Sequence, residues 1–143
     1  MPFQVIAINP GSTSTKIAWY SDSTEVWRET VRHDPDELGA FDSVAGQYQY
    51  RLSTVEAAAA AHGCSFDVLS AAVGRGGIVD PIPGGTYLVD DFLLGRLRLG
   101  KPWEHASNLG GIIADGISRP RGIPAFIVDP VAVDEMDPVA RLT

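Results

Sequence analysis

One loop near the amino terminus gathers most of the side chains that could hold an anion. In AINPGSTSTKIAWY, residues 7–20, an apolar run gives way to Asn-Pro-Gly, four hydroxyl residues and a lysine before the chain turns apolar again. Amide and hydroxyl groups in a tight turn can donate to phosphate oxygens. A Walker loop is excluded because no second glycine precedes Lys16 and an extended run follows it. Phosphate binding and an ordinary polar hairpin turn both remain open. The candidate ligands are Asn9, Gly11, Ser12, Thr13, Ser14 and Lys16.

Two further polar groups follow apolar, strand-like runs. Arg75 lies in Gly-Arg-Gly-Gly after the run 66–73, and Asp129 follows IPAFIV, residues 123–128. An arginine fork matches a carboxylate, and an aspartate at a strand end can reach Mg²⁺ or its waters. Ligands of open α/β sheets bind outside the carboxyl ends of the strands, which predicts one shared cleft. The alternatives are a surface salt bridge for Arg75 and a turn cap for Asp129.

The histidines and the cysteine give weaker signals. His105 is expected at the start of a helix facing the cleft, or else as a capping or core residue. We expect His33 and His62 to be incidental. Cys64 is the sole cysteine, which excludes an internal disulfide and a multi-cysteine metal site.

The elements that must position these residues alternate between extended and helical patterns. Asp34 and Pro35 have the residue types of a helix cap and first turn. Residues 79–90 contain a Pro-Gly-Gly turn and predict a hairpin or an excursion of the chain. Strands are predicted at Phe3–Asn9, Thr15–Tyr20, Glu25–His33, Phe66–Val73 and Ile123–Val128. Helices are predicted from Asp34, with an interruption near Gly46, through Thr54–Ala61, at Asp90–Leu99 and at Glu104–Ser118. This order predicts an α/β fold with a mixed five-stranded sheet flanked by helices.

Length and charge narrow the function classes. A chain of 143 residues with 45% hydrophobic residues suits a single domain with a real core. Its net charge of −7 and its scattered basic residues argue against nucleic acid as a partner. The sequence has neither a signal peptide pattern nor an apolar stretch of membrane-spanning length. We therefore expect a cytoplasmic protein with no membrane partner.

Five motifs, in order, resemble the N-terminal part of the butyrate kinases, which belong to the acetokinase family: NPGSTSTKIA, VGRGG, PIPGGTY, EHASNLGGIIA and PAFIVDPVAVDEM. The resemblance implies a ribonuclease H-like, actin-like ATPase half. It implies that residues 1–143 form a single N-terminal domain and that the family's second domain is absent. The implied reaction is reversible phosphoryl transfer from ATP, with Mg²⁺, to butyrate or a related short-chain acid.

The resemblance also assigns roles to individual residues. Asn9 and the loop through Lys16 match the family's first phosphate loop, and Arg75 matches the arginine that holds the substrate carboxylate. His105 matches the histidine that stabilises the phosphoryl group in transfer. Asp129 matches the catalytic aspartate near the metal, so Asn9 and Asp129 are the expected metal site. The isolated chain is expected to be a half-enzyme and a homo-oligomer; the alternative is a non-catalytic phosphate- or nucleotide-binding fragment or subunit.

Overall fold

The computed structural model describes residues 2–76, 85–99 and 106–128. These residues form an α/β fold, as the sequence predicts. The elements are β1 (Gln4–Pro10), β2 (Ser14–Ser21), β3 (Thr24–Arg32), α1 (Pro35–Gly39), α2 (Tyr48–Ala61), β4 (Ala71–Arg75), β5 (Thr86–Leu88), α3 (Asp91–Leu99), α4 (Asn108–Ser118) and β6 (Ala125–Val128).

The strands form one mixed sheet in the order β3-β2-β1-β4-β6-β5. Strands β1, β4 and β6 are parallel to one another, whereas β2, β3 and β5 pair antiparallel with their neighbours. The sheet therefore has six strands, and the predicted count of five is wrong. The extra strand is β5, whose three residues pair with β6. It lies in the segment predicted as a hairpin or an excursion, of which residues 79–84 lie outside the described residues.

One face of the sheet carries the core. In β1 the side chains of Ile6 and Ile8 are fully buried, and Ile17 and Trp19 of β2 lie on the same face. Helices α2 and α4 contribute Val55, Leu109 and Ile113 to the same cluster. In the part of the chain that the structure describes, no helix is long and apolar enough to cross a membrane.

The opposite face, which we call the open face, is partly exposed. Strand pairing places one row of apolar side chains across it: Ala18, Ala7, Val73, Phe126 and Leu88. The first four are partly buried and Leu88 is exposed. The residues that alternate with the core along each strand thus form a second surface, reaching the edge where the parallel strands end.

Local sequence explains why helix α1 begins directly after the antiparallel strands. The carboxylate of Asp34 accepts a hydrogen bond from the backbone nitrogen of Asp36 at 2.8 Å, and Pro35 occupies the first turn of α1. A carboxylate at this position satisfies an amide that has no partner within the helix. The predicted cap is therefore present.

Several predicted boundaries are wrong, and β6, for example, begins at Ala125 rather than Ile123. Residues 66–73 are not one strand, because Phe66–Val68 form a 3₁₀ turn capped by the Ser65 hydroxyl, and β4 begins only at Ala71. This turn buries Phe66 and Leu69 without extended backbone. Helix α4 begins at Asn108 rather than Glu104.

Candidate functional site

The β1–β2 turn, residues 11–14, lies at the carboxyl edge of the parallel strands. The backbone nitrogen of Gly11 donates to the carbonyl of Ser14 at 2.7 Å and closes the turn. The carbonyl of Thr13 accepts from the backbone nitrogen of His33 at 2.8 Å. Ser12 and Thr13 are exposed. The turn is thus tied to β3 at its base and presents hydroxyl groups to solvent at its tip.

A buried arginine supports this turn from the core side. Arg51 of α2 is fully buried. Its guanidinium donates to the carbonyl of Ser14 at 3.0 Å, to Oγ1 of Thr15 at 3.2 Å and, over a longer 3.4 Å, to the carbonyl of Ser12. Its Nε donates to Oε1 of Gln47 at 3.0 Å. A single side chain therefore holds two of the turn's carbonyls and the first buried residue of β2.

Thr15 also contacts a histidine. Its Oγ1 lies 2.8 Å from Nε2 of His33, and both residues are buried. Burial lowers the pKa of His33, and the nearby Arg51 cation lowers it further, against a smaller opposing effect of Glu37. The imidazole is consequently neutral near pH 7, and the turn rests on a network with one buried cation.

Lys16, Asn9 and Arg75 form a polar row across three adjacent strands. Asn9 pairs with Lys16 across β1 and β2. Because Ile8 pairs with Gly74 across β1 and β4, Arg75 stands level with Asn9. Neighbouring strands lie about 4.8 Å apart, and paired residues share a face. The row therefore places two exposed cations on either side of an amide, on the open face beside the β1–β2 turn.

Arg75 occupies a constrained position. It is the last residue of β4, not a residue after it, and its carbonyl and nitrogen lie 3.0 and 3.2 Å from where a Cβ on Gly110 would stand. Gly76 follows with a φ of 85°, a conformation that favours glycine. Glycine is thus required around Arg75 by the backbone and by the approach of α4.

The other two predicted site residues, His105 and Asp129, lie outside the described residues. Strand β6 ends at Val128, directly before Asp129 in sequence, and Val128 pairs with Arg75. Within residues 2–76, 85–99 and 106–128, no group of three or more His, Cys, Asp or Glu side chains is arranged to hold a metal ion. Of the predicted metal ligands, only Asn9 can be placed.

Arg51 and His33 are the residues that sequence reasoning missed. Arg51 falls in a helical segment where an arginine is expected on the surface, and His33 was expected to be incidental. One signal was available: Thr15 alternates with Ile17 and Trp19, so its hydroxyl had to be buried and needed partners.

The fold of the described residues matches that of solved carboxylate kinases. A propionate kinase from Francisella tularensis subsp. tularensis SCHU S4 superposes with a TM-score of 0.55 at 12% identity, covering 88% of this chain and 36% of that chain. Porphyromonas gingivalis acetate kinase gives a TM-score of 0.53 at 15% identity, covering 88% and 37%. The described residues therefore share the fold of these propionate kinase and acetate kinase structures. At these identities the likeness concerns the fold alone.

One curated protein is similar to this chain in sequence. The chain is 50% identical over all 143 residues to a "Probable butyrate kinase" of Coprothermobacter proteolyticus. The similarity to this relative extends along the whole of this chain. It spans 40% of the length of that curated relative. No family model matches the chain.

Proposed function

We propose that this chain forms one wall of a short-chain carboxylate kinase, which transfers a phosphoryl group reversibly between ATP and butyrate or a related acid. The observation that carries the proposal is the polar row of Lys16, Asn9 and Arg75 beside the hydroxyl-rich β1–β2 turn. The 50% identity to a probable butyrate kinase supports the choice of substrate class.

The polar row and the β1–β2 turn are suited to binding a carboxylate and a phosphate next to each other. A carboxylate is already ionised near pH 7, so its attack on a phosphoryl group requires no proton removal. The barrier lies in bringing two negative groups together, which positioning and charge neutralisation lower. Lys16 and the turn would hold phosphate oxygens, and the Arg75 fork would hold the acid.

The described residues offer several hydrogen-bond donors for a nucleotide phosphate and one oxygen ligand for a metal ion. Exposed amides, hydroxyls and a lysine at one edge are suitable donors for phosphate oxygens. Asn9 offers a side-chain oxygen, compatible with Mg²⁺ because that ion keeps several waters and substrate phosphates as ligands. When bound, Mg²⁺ would neutralise phosphate charge, with Asn9 and Asp129 as its proposed protein ligands. We assign His105 to the transferring phosphoryl group on the family resemblance.

We further propose that turnover requires the part of the relative that these 143 residues do not span. Phosphoryl transfer needs a closed, water-poor cleft, and a single wall leaves bound ATP open to solvent. The alternative function is non-catalytic phosphate or nucleotide binding by the chain alone. If the chain is part of a kinase, adding the remaining part of the relative should produce turnover. If the chain only binds phosphate or nucleotide, that addition should produce none.

The test is acyl phosphate formation from butyrate and ATP, measured by hydroxamate trapping. The chain is assayed alone, and again after fusion to the remaining part of the Coprothermobacter relative. We expect turnover on the order of 1–100 per second for the fusion and almost none for the chain alone. A fusion that binds ATP but forms no acyl phosphate would favour the non-catalytic alternative.

Substituting Arg75 tests its assignment within the active fusion. Arg75→Ala should lower kcat/KM for butyrate by one to three decades, about 2–4 kcal/mol in barrier height, because a bidentate charge-assisted contact is lost. The KM for ATP should change far less. If the parameters for ATP and butyrate decline equally, Arg75 does not hold the acid.

A further inference from the structure

Arg51 is a buried cation whose partners are all uncharged. Within the described part of the chain, its guanidinium donates only to two carbonyls, one hydroxyl and one amide oxygen. Glu37 of α1 accepts instead from the Tyr50 hydroxyl at 2.7 Å. Burying a charge without a counter-charge is costly, and a neutral side chain could fill the same space. The arrangement therefore suggests that the counter-charge is a ligand.

The hydrogen bonds of Arg51 also set the direction of the turn's peptide groups. In a planar trans peptide, the carbonyl and the following N–H point in opposite directions. Because Arg51 holds the carbonyl of Ser12 towards the core, the N–H of Thr13 points away from it. The nitrogen of His33 holds the carbonyl of Thr13, which likewise directs the N–H of Ser14 away from β3.

Two neighbouring amides of the turn have no hydrogen-bond partner among the described residues. They are the backbone N–H groups of Ser12 and Thr13, and the Thr13 N–H is one of the two that point outwards. Neither hydroxyl of these two residues forms one there either. Successive unpaired N–H groups facing the same region form a concave anion site, and the positive charge behind them strengthens it.

We propose that Arg51 is a positioning residue that turns the Ser12–Ser14 peptides towards a phosphate group and whose charge that phosphate balances. This inference rests on the proposed function, because it assigns the phosphate site to the β1–β2 turn. Arg51 would act from behind the turn, through the backbone, without touching the ligand.

The experiment compares four versions of the 143-residue chain: unsubstituted, Arg51→Met, Arg51→Lys and Arg121→Met. Arg121 donates to the carbonyl of Ile117, beyond the carboxyl end of α4 and at the opposite edge of the sheet, so its substitution is a control with the same change in net charge. Titration calorimetry measures the affinity for pyrophosphate and for ATP. Amide hydrogen exchange, followed by NMR, reports on Gly11, with Ile8 of β1 as the internal reference.

We expect Arg51→Met to weaken both affinities about tenfold or more, because the phosphate loses the positive charge behind the turn and the turn's amides lose their fixed direction. The Gly11 amide should exchange faster, because the carbonyl of Ser14 that accepts from it loses the support of Arg51, while Ile8 stays protected. Arg51→Lys keeps the charge but not the fork, so its affinities should fall in between. Arg121→Met should bind like the unsubstituted chain.

The outcomes separate the two proposals. If the unsubstituted chain binds neither probe, the proposed phosphate site fails, and the role of Arg51 fails with it. If that chain binds and Arg51→Met binds equally well, with Gly11 exchange unchanged, only the role of Arg51 is overturned. Should Arg51→Met not fold, Arg51→Lys decides: unchanged affinity and unchanged exchange would overturn the inference.

Discussion

One hydroxyl group, that of Thr15, is shared by a cation and an imidazole. A guanidinium can only donate, so Oγ1 of Thr15 accepts from Arg51 at 3.2 Å. Its hydroxyl proton can be donated to Nε2 of His33, 2.8 Å away, when that nitrogen carries a lone pair. The lowered pKa of His33 favours the neutral imidazole. Protonating His33 would place a second cation beside Arg51 in the core.

Stability should therefore fall on the acidic side of neutrality. The pKa of His33 is lowered on folding from its ordinary value of about 6.5, so the unfolded chain takes up the proton first. The contribution of His33 is complete above about pH 6.5 and is lost as the pH falls from there through the lower pKa of the folded state. Urea unfolding measured from pH 7.5 to pH 5 should show this decline.

His33→Gln supplies the comparison, because it keeps a side chain that can bond to Thr15 but does not titrate. Between pH 6.5 and 5, its stability curve should be flatter than that of the unsubstituted chain. Parallel curves for the two proteins would show that other groups cause the acid sensitivity.

Residue types alone predict the exposed side chains of the β1–β2 turn but not the group that supports the turn. A glycine and consecutive hydroxyl residues before Lys16 are compatible with a phosphate-binding turn and with an ordinary polar turn. The identity of the group behind the turn depends on where α2 packs against β2, which no local pattern encodes. Arg51 and His33 lie 36 and 18 residues from Thr15 and meet it only in the folded chain.

At the scale of elements, α4 approaches β4 closely enough for their backbones to touch. A Cβ on Gly74 would overlap the carbonyl carbon and oxygen of Gly110 and would lie 2.5 Å from the nitrogen of Gly111. Leu109 and Ile113 of α4 are fully buried on either side of this contact. The close approach fixes the start of α4 against the strand that ends at Arg75, so both belong to one rigid unit.

Gly74→Ala should accordingly destabilise the chain by about 3 kcal/mol or more, because backbone cannot move aside as a flexible side chain can. Gly95→Ala is the control: it lies in α3 with no atom within 4 Å of its added methyl group. That substitution should stabilise the chain by about 1 kcal/mol through helix propensity. Chemical denaturation of both variants tests this, and a small loss for Gly74→Ala would mean that α4 lies farther from β4.

Long periodic elements are predicted better than short or capped ones. Strands β1, β2 and β3 lie within one residue of their predicted bounds, because their alternation of buried and exposed side chains is regular. The region before β4 was misread because a 3₁₀ turn can bury apolar residues as a strand does. Strand β5 has only three residues, and only its pairing with β6 makes it part of the sheet.

At the scale of the whole molecule, the residues that the structure describes cover the two sheet faces differently. Helices α2 and α4 bury one face, while the open face keeps an apolar row beside the polar row that we propose binds substrate. Phe126 is partly buried, and its strand partner Leu88 is 56% exposed. Contiguous apolar surface of this kind favours association with another protein surface, including a second copy of the same chain.

We therefore expect the 143-residue chain to self-associate through the open face, in line with the oligomer expected from its sequence. Leu88→Lys should shift the chain towards monomer in sedimentation velocity, because a charge brought into an apolar contact must be desolvated. Phe92→Lys is the control, since Phe92 is 77% exposed on α3. If Phe92→Lys dissociates the oligomer and Leu88→Lys does not, α3 forms the contact. If the unsubstituted chain is monomeric at high micromolar concentration, the prediction of self-association is wrong. Fusion to the rest of the relative should bury Leu88 only if that part packs against the open face.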